Sequence, residues 1–108
     1  MPLREEIAEL LRAPENGAGA PSLDAIESTL TDGYAAKLAL EAERSRIERR
    51  LSEVARDAGE VSAHSVVAEL ADLSERLDTA DGELARLRLL LRKLQGVRRR
   101  RRAALSPC

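Results

Sequence analysis

At 108 residues the chain has room for one domain at most, and 18 basic against 19 acidic residues leave a net charge of −1, which excludes a uniformly basic or acidic protein. Tyr34 is the only aromatic residue. Without side chains that each bury about 150–250 Å², a compact globule is disfavoured, and thin helical seams of Leu, Ile, Val and Ala are favoured. The single cysteine, Cys108, excludes an intrachain disulfide.

Residues 1–12 predict a short amphipathic helix. Pro2 sits in the tolerated first turn, Leu3, Ile7, Leu10 and Leu11 form the apolar face, and Glu5 lies near the positive end of the helix dipole. The acids and the lack of an apolar core region argue against a signal peptide. Three turns are marginal in water, so this helix must dock on something. Residues 13–21, APENGAGAP, carry two prolines, two glycines and an asparagine without apolar periodicity, and predict a flexible linker.

A second helix is expected over residues 22–58, with Ser22 as N-cap and Asp24 in its first turn. It carries Leu23, Ile26, Leu30, Gly33, Lys37, Leu40, Arg44, Ile47, Leu51 and Val54 at three- and four-residue spacing. A third is expected over residues 63–103, with the stripe Val66, Leu70, Leu73, Leu77, Ala80, Leu84, Leu87, Leu91 and Leu94. Between them lies a tip at residues 59–62, where Gly59 suits a C-terminal cap, Ser62 an N-cap, and Val61 with Val66 a hydrophobic staple. The pairs Asp32-Gly33 and Asp81-Gly82 leave the apolar phase unbroken, so the helices should run through them. Residues 104–108 form a tail.

So short a tip makes the two long helices antiparallel, and a symmetric loop pairs Val54 with Val66, Leu51 with Leu70, Ile47 with Leu73, Leu30 with Leu91 and Ile26 with Leu94. The same register sets Arg44 beside Leu77, Lys37 beside Leu84 and Gly33 beside Leu87. The expected fold is therefore all-α: a long antiparallel two-helix coiled-coil hairpin with a short N-terminal helix. In its middle, leucines face a glycine and two long cations. Further cover is expected from the first helix or from a second copy, giving a homodimeric four-helix bundle, with Lys37 and Arg44 setting register. The partner face would comprise Tyr34, Leu38, Leu77, Leu84, Leu87, Leu91 and Leu94.

Catalytic groups are sparse. His64 is the only histidine, no glycine-rich phosphate loop is present and no metal-ligand spacing occurs, so neither an enzyme nor a cofactor, metal or small-molecule substrate is expected. No segment is apolar and long enough to span a bilayer, and a cytoplasmic location is the default. Arginine far exceeds lysine in an Ala- and Leu-rich chain, a composition suggesting a GC-rich bacterial genome.

Charge is strongly segregated. Residues 84–108 hold Arg86, Arg88, Arg92, Lys93, Arg98, Arg99, Arg100, Arg101 and Arg102 and no acid. The first functional reading is a non-enzymatic helical interaction or scaffold protein that binds itself or another helical protein. The alternative is nucleic-acid or ribosome association, in which these nine cations bind phosphate backbone without base stacking or sequence readout. Peripheral association of this basic amphipathic segment with anionic membrane is the lesser alternative.

Overall fold

The computed structural model describes residues 2–57, 59 and 62–105, and three helices account for most of them: α1 (Pro2–Arg12), α2 (Leu23–Arg56) and α3 (Ala63–Leu105). The fold is all-α, with α2 and α3 forming a long helical hairpin. Its helix starts follow the sequence chemistry. Ser22 Oγ accepts the Ala25 amide at 3.1 Å, and Ser62 Oγ accepts the Ser65 amide at 3.3 Å. Each serine thereby satisfies one of the amide donors that a helix start leaves without an intrahelical acceptor. The expected cap at Gly59 and the Val61–Val66 staple depend on Ala58, Glu60 and Val61, which lie outside the described residues, as does Cys108.

The linker contains one hydrogen-bonded turn. Gly17 and Gly19 take φ of 79° and 87°, and the Ala20 amide donates to the Gly17 carbonyl at 3.2 Å. Left-handed backbone at Gly19, the third residue of that turn, is what a type II turn requires and what a side chain would oppose.

The chain divides into two compact units. Unit 2, residues 38–85, joins the end of α2 to the start of α3. Its core is Ile47, Val54, Val66, Leu73 and Ala80, flanked by the partly buried Leu51, Leu70 and Leu77. The pairs that the symmetric-loop register places opposite one another here, Val54 and Val66, Leu51 and Leu70, Ile47 and Leu73, all belong to this core or its flank. Arg44, expected beside Leu77 in the seam, is instead partly exposed and reaches Asp81 Oδ1 at 2.5 Å in an ion pair without hydrogen-bond geometry from Nε. A guanidinium on a long flexible stem turns to a carboxylate at the flank rather than lose its hydration in the seam. Cross-helix pairs Arg50–Glu69 at 2.7 Å and Arg76–Glu43 at 3.4 Å flank the same core. Exposed pairs of this kind contribute little, so apolar burial dominates the stability of this unit.

Unit 1, residues 1–37 and 86–108, contains α1, the first part of α2 and the last part of α3. Its buried side chains come from all three: Ile7, Ile26, Leu30, Leu87, Leu91 and Leu94, none more than 4% exposed. Full burial of each contributes about 1.5–3 kcal/mol, and Ile7 at 0% exposure is what holds the otherwise marginal α1 in place. The seam expected to set Gly33 beside Leu87 instead seats Leu91 against Gly33, one helical turn farther along α3. A glycine leaves a hollow, and the branched end of Leu91 fills it.

Candidate functional site

Residues 86–105 form the last part of α3, and the buried residues Leu87, Leu91 and Leu94 fix which of its sides face inward. At steps of four, three, four and three residues, Arg88, Arg92, Gln95, Arg99 and Arg102 then share another side. From Arg88 to Arg102 the stripe covers 15 residues, and its 14 steps of about 1.5 Å make it about 21 Å long. A shallow groove of about 230 Å³ lies against it, lined by Arg88, Arg92, Gln95 and Arg99 of α3 and by Tyr34 and Lys37 of α2. No carboxylate is among the described residues that line this groove. Gln95 Nε2 donates to Tyr34 Oη at 2.6 Å across its floor, tying α3 to α2 without using a cation.

The arginine run belongs to the same ordered helix and serves three different surroundings. Arg98 lies 3.5 Å from Glu27 of α2. Arg100 donates from Nε to Glu15 Oε1 at 2.8 Å, and its Nη2 lies 2.7 Å from the same oxygen. Arg101 reaches the Glu15 backbone carbonyl at 3.5 Å. Arg99 and Arg102 remain exposed on the stripe, as do Arg92, the adjacent Lys93, and Arg86 toward the start of the segment. Successive residues of a helix point about 100° apart, so five consecutive arginines cannot form one patch. The spacing of Arg88, Arg92, Arg99 and Arg102 is what gathers cations on one side.

The apolar partner face expected from the sequence is largely internal. Leu84, Leu87, Leu91 and Leu94 are 2%, 1%, 3% and 0% exposed within the single chain, and Leu77 is half-buried. Further cover was expected because α2 offers a glycine and two cations at that level; at Gly33 it is Leu91 of the same chain that closes in. Of the seven expected residues, Tyr34 and Leu38 stay exposed, at 38% and 66%. Stable interfaces bury about 800 Å² per partner, far more than two side chains supply. Lys37 lines the basic groove, and Arg44 forms an ion pair with Asp81.

Among the described residues no group of three or more His, Cys, Asp or Glu is placed to hold a metal ion, and no helix is long and apolar enough to cross a membrane. His64 is exposed in the first turn of α3. No protein family, curated protein or solved structure matches the chain.

Proposed function

We propose that the protein is a non-enzymatic cytoplasmic binding protein whose contact surface is the basic side of α3 in unit 1, and that its ligand is the phosphate backbone of a nucleic acid. The observation that carries this reading is the stripe of Arg88, Arg92, Arg99 and Arg102 with Lys37 beside it, on a helix anchored by buried leucines and along a groove without lining carboxylates. Arginine presents a planar fork that grips phosphate in two places, and a helix that is already ordered loses little entropy on binding. With one aromatic residue in the chain, base stacking contributes little, so recognition is directed at the backbone and indifferent to sequence.

Fluorescence anisotropy with labelled 30-nucleotide duplexes of unrelated sequence tests the proposal. All duplexes should bind alike at low ionic strength, and replacing Arg88, Arg92, Arg99 and Arg102 by Gln should weaken binding at least 100-fold. These positions are exposed, so the variant should keep its helical circular dichroism. Absence of binding at 25 mM salt, or full affinity in the four-Gln variant, would overturn the reading.

A further inference from the structure

A second concavity in unit 1 has different chemistry. It is a cleft of about 750 Å³ at the end of α1, within the usual size range of small-molecule sites. Leu10 and Leu11 of α1, Pro14 of the linker, Ile26 of α2 and Val97 of α3 give it apolar walls. Arg92, Lys93, Arg100 and Arg101 line it as well, and Glu15 is the one carboxylate among its described lining residues. Four cations and one acid therefore line one cleft beside an apolar surface.

Glu15 shows how those cations handle an anion. Its carboxylate accepts from Arg100 Nε at 2.8 Å, and its backbone carbonyl takes Nη1 of Arg101 at 3.5 Å. Arg101 Nε, by contrast, is buried and has no hydrogen-bond partner. That atom is sealed from solvent, so it is the charge of the lining cations that an entering anion meets. Glu15 leaves three positive charges of the lining set unmatched. An anionic head group entering the cleft meets those charges, and the Leu10, Leu11 and Val97 walls are suited to an alkyl chain behind it.

We infer that this cleft binds a single-chain anionic amphiphile of the fatty-acid class, its carboxylate at Arg101 and Arg100 and its chain against the apolar walls of α1, α2 and α3. The site is separate from the α3 stripe in its ligand chemistry and in Arg100 and Arg101, with Arg92 at the border of both. The short α1 and the linker supply much of the wall, so the ligand also ties α1 to the hairpin.

Isothermal titration calorimetry on the full chain, with octanoate, decanoate and dodecanoate below their micelle concentrations, tests the inference. Saturable 1:1 binding is expected, tightening by about fourfold per methylene until the walls are covered. Decanol and inorganic phosphate should each bind at least tenfold more weakly than decanoate. Arg101→Gln should weaken decanoate at least tenfold and leave decanol unchanged, whereas Ala104→Trp, a substitution at an exposed position lining the cleft, should block both. Affinity independent of chain length, equal binding of decyltrimethylammonium, binding to anionic vesicles alone, or no saturable binding would overturn it. The wild-type chain-length series decides the matter even if a variant fails to fold. Replacing Arg88, Arg99 and Arg102 by Gln should leave decanoate binding intact, so failure here is distinguishable from failure of the nucleic-acid reading.

Discussion

Two helical glycines, Gly33 and Gly96, are both buried yet differ in what a methyl group would meet. At Gly33 an added Cβ would collide with Leu91 Cδ2, whose side chain is itself 3% exposed and has little room to withdraw. Alanine there gains about 1 kcal/mol of helix propensity and incurs about 1–3 kcal/mol of overpacking. Gly33→Ala should therefore lower stability by about 1 kcal/mol in urea denaturation. At Gly96 the nearest atoms are Arg100 Nη1 at 3.4 Å and Arg99 Nη2 at 4.0 Å, the mobile ends of long side chains. Gly96→Ala should raise stability by about 0.5–1 kcal/mol in the same measurement, so the signs should be opposite. The spacing of Gly33 in the apolar repeat marks it as a seam residue in the sequence. Its partner was not legible there, because a register argument counts positions and does not see that an absent side chain draws in a leucine from the next turn.

Helices α2 and α3 were legible almost to the residue, since their serine caps and apolar repeat make the same demand on the chain. The docking of α1 was legible only as a need. Eleven residues cannot stand alone, but nothing in their own pattern names the surface that covers Ile7. Ile7→Ala should cost about 2–5 kcal/mol in unit 1. Hydrogen exchange should show protection lost first in α1, with the amides of unit 2 retained. A second element-scale prediction concerns Glu43, whose carboxyl is held below its ordinary value of 4.5 by hydrogen bonding from Arg46 foremost and by Arg76 of α3. A depressed carboxyl contributes stability above its unfolded pKa and loses it as pH falls through the folded value. Melting temperature should thus fall less in Glu43→Gln than in wild type as pH drops below about 4.5. A parallel pH profile in the two proteins would contradict the assignment.

Over the whole molecule, charge segregation is the property that the sequence made plainest and the fold then reorganised. All nine cations of residues 84–108 were visible as a basic block, but the block does not act as one surface. Arg98 and Arg100 turn to Glu27 and Glu15, while Arg92, Arg99 and Arg102 remain on the open stripe. The acid–base contact between Glu15 and Arg100 spans 85 residues of sequence, which is why neither the cleft nor its carboxylate was foreseeable from local pattern. The apolar block changed role as well: leucines that read as a face for a second copy are internal. Sedimentation at micromolar concentration should accordingly give the mass of a single chain, about 11.8 kDa.

The salt dependence of nucleic-acid binding tests the central claim most directly. Five cations, Lys37, Arg88, Arg92, Arg99 and Arg102, engaging five phosphates of duplex DNA should give a slope of log K against log salt of about −4 to −5, reduced by about one for each arginine changed to Gln. Binding whose slope is near zero, or whose slope is unchanged when the stripe is neutralised, would show that this side of α3 is not the contact surface.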